Sequence, residues 1–210
     1  MKLFFAPGTC SLSPHIALLE LGLDFEAVKT DIRHKKYAGG DYRNINPKGS
    51  VPALQLDNGE VLTEGAVIVQ YLADQKPEKG FMPKVGSWER YRAQEWLNFV
   101  ASDIHKTFGV LFAADRWVAN KEGNEQLKAS AKEALAGRLG IVNEKLNGKS
   151  FLMGENFTAP DAYLFTCLRW TKFMAIDLAP WPNILKFMDR VGARPSVKEA
   201  VGAEDAAKKI

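Results

Sequence analysis

Apolar residues follow two different rhythms along this chain, and the change falls within residues 76–86. Residues 2–6 form a short apolar run that Pro7-Gly8 ends. Ser13-Pro14 then opens a segment with Ile16, Leu19 and Leu23 on one side of a helix, and Gly22 suits its stop. Val28, Thr30 and Ile32 alternate as on one face of a strand. After a polar loop, residues 51–56 and 60–62 flank Asp57-Asn58-Gly59, where Asn and Gly tolerate the positive φ of a hairpin turn. Thr63-Glu64-Gly65 leads into residues 66–74, whose nearly continuous apolar run (Val67, Ile68, Val69, Tyr71, Leu72) suits a helix packed on a sheet. The order so far is βαβ, loop, ββα.

Residues 76–86 hold two prolines, two glycines and three lysines with no period of either kind, the composition of a connection between domains. Beyond Ser87 strand signals vanish. Trp88, Tyr91, Glu95, Trp96, Phe99 and Asp103 recur at helical spacing, as do Leu127, Ala131, Leu135, Leu139, Val142 and Leu146. Thr158-Ala159-Pro160-Asp161 has the hydroxyl and acid spacing of a helix N-cap box, with Leu164, Phe165 and Leu168 following it into the core. The pattern thus predicts an α/β domain over 1–77 and an all-helical one over 87–210, with no internal repeat.

Composition narrows the function classes. With 46% hydrophobic and 25% charged residues, the chain is that of an ordinary folded protein. Its 28 basic and 25 acidic residues leave only +3, scattered without a basic block, which argues against nucleic acid as a partner. No stretch is long enough for a signal peptide core or a membrane span, so a cytoplasmic location is expected. Cys10 and Cys167 lie far apart, which suggests neither a disulfide framework nor a metal cluster.

Cys10 carries the candidate chemistry. It sits between the first strand and first helix, where unpaired N–H groups and the helix dipole favour thiolate over thiol. The other reading is a small packing residue at a strand end. Cys10-Ser11-Leu12-Ser13 is similar to the redox loop of thioredoxin-like folds with serine in place of the second cysteine, so a thiol there needs an external partner. Val51-Pro52 stands where such folds keep a cis-proline loop facing the active cysteine.

Five segments in the right order make the resemblance specific: Ser11-Leu12-Ser13-Pro14-His15, Asn46-Pro47-Lys48-Gly49-Ser50-Val51-Pro52-Ala53-Leu54, Leu62-Thr63-Glu64-Gly65, Gln70-Tyr71-Leu72-Ala73-Asp74, and Phe157-Thr158 through Asp161-Ala162-Tyr163-Leu164-Phe165. Together with Cys10 they resemble the bacterial beta class of glutathione transferases. That resemblance implies a thioredoxin-like N-terminal domain, an all-helical C-terminal domain carrying the electrophile site, and a homodimer. It implies glutathione as cosubstrate and no metal. Val51 would pair with the cysteinyl backbone of glutathione, and Glu64 and Gly65 with its γ-glutamyl end. Many relatives outside the class have serine where Gly65 stands. Lys35 falls where the class places a lysine for the glycyl carboxylate. Asn98, Ser102, Asp103, Ile104 and His105 match positions facing glutathione, Asn98 across the dimer.

Cys10 and His105 are the expected catalytic residues, His105 because an imidazole can share a proton or polarise a sulfur-bound substrate. His15 either tunes the thiol or satisfies a buried polar contact, and Cys167 belongs to the core. Phe108, Phe112, Trp117 and Trp170 either line an apolar pocket or pack as core. The expected activity is conjugation of glutathione to an apolar electrophile, with Cys10-dependent disulfide or peroxide reduction beside it. Reductive dehalogenation is a further possibility, and a noncatalytic carrier or regulatory protein is the alternative on the same fold.

Overall fold

The computed structural model describes residues 1–208. Six strands form one sheet: β1 (Lys2–Phe5), β2 (Glu26–Asp31), β3 (Lys36–Tyr37), β4 (Gly40–Asp41), β5 (Ala53–Gln55) and β6 (Val61–Thr63), in the order β4-β3-β2-β1-β5-β6. β1 pairs with β2 in parallel and with β5 antiparallel, and β5 with β6 antiparallel. Central β1 is covered on both sides, which explains its unbroken apolar run. Leu3 and Phe5 join the main core, while Phe4 packs with Tyr42, Val51 and Ala53 on the opposite face.

Two helices accompany the sheet, α1 (Leu12–Leu21) and α2 (Gly65–Gln75). α1 is the middle of the molecule, because it touches α2 on one side and helices of the C-terminal part on the other. Hence Leu12, Ser13, Pro14, His15, Ile16, Ala17 and Leu18 are all buried, where the sequence had shown a single apolar side. The helix also begins earlier than Ser13: Leu12 is its first residue and Ser11 its N-cap. Strand β2 stops at Asp31 and leaves Ile32 exposed, and the expected polar loop contains the small β3–β4 hairpin.

The rest is helical: α3 (Trp88–Phe99), a π-helical turn (Val100–His105), α4 (Lys106–Phe112), α5 (Lys121–Lys145), α6 (Ala159–Leu168), α7 (Pro182–Gly192) and α8 (Pro195–Ala207). α5 buries Ala131, Leu135, Leu139 and Val142, the stripe its spacing predicts. α6 is wholly buried, and its N-terminus carries the expected cap box. Asp161 accepts hydrogen bonds from the N–H groups of Thr158 and Leu152, both at 2.8 Å, and from the Thr158 hydroxyl. α3 departs from its pattern. Its inward face holds Arg90, Ala93 and Leu97, whereas Trp88 and Tyr91 are 66% and 57% exposed. Arg90 is directed inward by two bonds to the Asp74 carboxylate on α2, at 2.8 and 2.9 Å, which tie the two parts together. No helix among the described residues is long and apolar enough to cross a membrane.

Candidate active site

The loop between β1 and α1 is fixed from within and from outside. Ser11 Oγ lies 3.2 Å from both the N–H and the C=O of Ala6, and Thr9 Oγ1 donates to the same carbonyl at 2.8 Å. Gly8 has φ +79°, which suits a residue without Cβ. Its N–H donates to Glu204 Oε2 of α8 at 2.8 Å, and its C=O accepts from Trp170 Nε1 at 2.9 Å. The loop holding Cys10 is therefore held at Gly8 by two residues of the helical part.

Cys10 is partly buried, and its Sγ donates to the Val51 carbonyl at 3.2 Å. The first-turn N–H groups of α1 do not reach the sulfur. Leu12 N–H donates to Thr9 C=O and Ser13 N–H to Cys10 C=O, so the loop's own carbonyls satisfy them. The expectation of a thiolate-favouring loop is thus corrected. Burial pushes the thiol up to about 12, its own backbone N–H opposes this, and the charges of Glu204 and Glu64 add to the rise. Cys10 is a thiol at neutral pH.

Opposite the sulfur, the Val51–Pro52 bond is cis and the chain enters β5. Beyond the β5–β6 hairpin, Glu64 takes φ +70° at the start of α2. A non-glycine residue held there costs about 1–3 kcal/mol, a cost commonly found where a site dictates the backbone. Its carboxylate pairs with Lys48, which also donates to Thr63 Oγ1 at 3.0 Å. No side chain caps α2, which leaves its first N–H groups for an anion. A Cβ on Gly65 would meet Pro52 and Ser13 at 3.7 Å, an ordinary contact.

The helical part supplies the facing wall through the π-helical turn, a geometry with no signature in the residue spacing and one that recurs at functional sites. His105 Nδ1 lies 2.7 Å from the Tyr163 hydroxyl, and its ring packs 4.9 Å from that of Trp170. Burial lowers the imidazole to about 4, so His105 is neutral at pH 7. Burial raises Tyr163 far above the phenol range, which keeps its hydroxyl protonated.

One cavity of about 380 Å³ gathers Cys10, Val51, Pro52, Glu64 and Gly65 from the sheet part with Ala101, His105, Lys106, Gly109 and Tyr163 from the helical part. Lys35 lies beside it: its Nζ donates to the Gly49 carbonyl at 2.7 Å, and Ser50, next in sequence, lines the wall. Asn98 and Ser102 are exposed, Asp103 pairs with Arg138 at 3.3 Å, and Ile104 is fully buried in the core; none of the four lines the cavity. His15 takes neither expected role. Its ring packs between Phe5 and Phe25, and its Nδ1 has no partner among the described residues. Cys167 and Phe108 are core, as is most of Trp170, while Phe112 and Trp117 are exposed.

Sequence reasoning missed Tyr163, Lys106, Gly109 and Glu204. A hydroxyl in an otherwise apolar buried helix needs a partner, and that signal pointed to Tyr163. Glu204 is buried and raised to about 7 by burial, and nothing local marked it.

Residues 8–75 match the family model described as the glutathione S-transferase N-terminal domain, and residues 96–195 the glutathione S-transferase C-terminal domain. The chain belongs to the glutathione S-transferase family and is a transferase of that family. Among those proteins it groups with the bacterial beta class. Glutathione S-transferase GstA of Escherichia coli O157:H7 is 44% identical over 205 residues, covering 97% of this chain and 98% of that protein. The solved beta class glutathione S-transferase of Sphingomonas chungbukensis is 41% identical with a TM-score of 0.89, covering 97% and 98% of the two chains. A sphingomonad glutathione S-transferase complexed with glutathione is 42% identical with a TM-score of 0.90, covering 98% and 99%.

Proposed function

We propose that this enzyme binds glutathione in the Cys10 cavity and transfers its thiolate to an apolar electrophile held against the helical part. The observation that carries the reading is the union in one cavity of Cys10, Val51, Glu64 and Gly65 with His105 and Tyr163. The γ-glutamyl carboxylate meets the uncapped N-terminus of α2 and the ammonium meets Glu64. The cysteinyl backbone pairs with Val51 as an added strand would. Lys35 leaves the Gly49 carbonyl for the glycyl carboxylate.

With Val51 occupied by the peptide, the Cys10 S–H turns to the glutathione sulfur and donates to it, stabilising the thiolate once its proton has gone to solvent. The thiolate then attacks the electrophilic carbon and the leaving group departs. When Tyr163 O–H donates to His105 Nδ1, the ring carries its proton on Nε2 and offers that N–H to the acceptor.

A second activity is favoured by the Cys10 sulfur lying in the cavity while Ser13 occupies the place of a second cysteine. Once bound oxidised glutathione has taken the Val51 carbonyl from it, Cys10 gives its proton to solvent, and the thiolate so formed attacks a sulfur of that disulfide, forms the mixed disulfide and releases glutathione thiolate. Two free cysteines suit a reducing cytoplasm, where detoxification of electrophiles would be the role. Val67 on α2 and Trp88 and Tyr91 on α3 are large exposed apolar side chains that a second copy would cover, bringing each Asn98 to the other subunit's cavity.

Calorimetric titration with glutathione, a conjugation assay with 1-chloro-2,4-dinitrobenzene, and nonreducing intact mass after incubation with oxidised glutathione test these statements. Cys10→Ala should abolish the adduct, Cys167→Ala should keep it, and Cys10→Ala should still bind glutathione. A wild-type protein that binds no glutathione overturns the proposal.

A further inference from the structure

A second cavity of about 300 Å³ adjoins the first and is lined by Lys106, Gly109, Val110, Ala113, Arg116 and Trp117. Lys106 and Gly109 line both cavities, so the two meet at α4. No acidic residue is among the six, and Asp115 does not line the space although it neighbours Arg116 in sequence. Neither Lys106 nor Arg116 makes an ion pair with a described residue, and both are exposed. Trp117 is 62% exposed, with Lys106 Nζ 5.6 Å from its ring centroid. A large aromatic surface and two cations without a carboxylate partner among the described residues thus line a space that shares Lys106 and Gly109 with the Cys10 cavity.

Gly109 stands at the junction. Glycine weakens a helix interior, yet a Cβ built there would meet nothing within 4 Å, so no close packing requires its absence. With no side chain there, only backbone lines the shared wall at this position.

We infer that this second cavity is an acceptor subsite selecting aromatic electrophiles that carry a carboxylate or similar anionic group. The aromatic ring lies against Trp117, and the anion sits between Lys106 and Arg116. Glutathione does not compete for these cations, because its own carboxylates go to α2 and Lys35. The inference rests on the transferase reading above, with the reacting end of the acceptor at the sulfur. In the step itself the C–S bond forms, the carbon–halogen bond breaks, and halide leaves with the bonding pair.

The test compares two acceptors that react in the same way, neutral 1-chloro-2,4-dinitrobenzene and anionic 4-chloro-3,5-dinitrobenzoate, each corrected for its uncatalysed rate with glutathione. The readout is the ratio of kcat/KM values, anionic over neutral. In Lys106→Gln/Arg116→Gln the ratio should fall about tenfold, the effect of removing two exposed charges. In the wild type it should fall with added salt, and that dependence should weaken in the variant. Both positions are exposed, so the variant folds, and thermal unfolding verifies it. A ratio unchanged by the substitutions overturns the inference.

Should wild type bind glutathione but turn over neither acceptor, the transferase reading fails by itself. The subsite is then judged by calorimetric binding of unreactive 3,5-dinitrobenzoate to the glutathione-loaded protein. About tenfold weaker binding in the double variant upholds the subsite, and equal binding overturns it.

Discussion

Alkylation of Cys10 across pH separates a loop that generates thiolate from one that stores a thiol. The sulfur donates to the Val51 carbonyl, no first-turn N–H of α1 is left for it, and burial pushes its pKa up to about 12. An ordinary cysteine, near 8.5, is about 3% thiolate at pH 7, whereas a thiol at about 12 is roughly 0.001%. Because only the thiolate attacks, iodoacetamide should modify Cys10 roughly three thousandfold more slowly at pH 7 than a free thiol of ordinary pKa. The rate should climb about tenfold per pH unit through pH 8 to 10 without a plateau. Intact mass of a Cys167→Ala protein, read against time at each pH, isolates the one sulfur. On the proposed binding mode, in which glutathione takes over the Val51 carbonyl, glutathione should accelerate the reaction of any Cys10 it leaves accessible. A plateau below pH 8.5 in the unliganded protein would refute the reasoning and restore the electropositive loop.

Three further outcomes follow from the site and its supports. His105, lowered to about 4 by burial, keeps a neutral ring from pH 5.5 to 8, so its nitrogen NMR signals should not titrate there; a midpoint above 6 would contradict this. Glu64→Gly relieves the φ +70° backbone and should leave the fold as stable or about 1 kcal/mol more stable, while calorimetry shows at least about tenfold weaker glutathione binding. Equal affinity would remove Glu64 from the ligand site. Asp161→Ala leaves the buried N–H groups of Leu152 and Thr158 unpaired and should cost roughly 3–5 kcal/mol in denaturant unfolding; a loss under about 1 kcal/mol would mean that water replaces the carboxylate.

The strength of the apolar contacts explains why the site is so tightly supported. α1, which follows Cys10, is buried against α2, α6 and α8, so the Cys10 loop cannot shift without disturbing the main core. Glu204 and Trp170 add bonds to a single residue, Gly8, one to its N–H and one to its C=O, from positions far along the chain. Preorganisation of this kind costs nothing at the moment of reaction.

Sequence by itself determined the features whose cause lies within a few residues. The turn at Asp57-Asn58-Gly59, the cap box from Thr158 to Asp161, the α5 stripe and the place of Cys10 between strand and helix all rest on local backbone preference or on periodicity. Tertiary structure decided what depends on distant neighbours. The burial of every side of α1, the outward face of Trp88 and Tyr91, the π-helical turn that presents His105, and the Glu204 contact with Gly8 have no local signature. The clearest division is at Cys10. Its position was legible because a loop before a helix can be read from its flanking residues, but its protonation state was not. Desolvation is a sum over everything packed around the sulfur, and the N–H groups that would have opposed it are claimed by carbonyls only once the loop has folded.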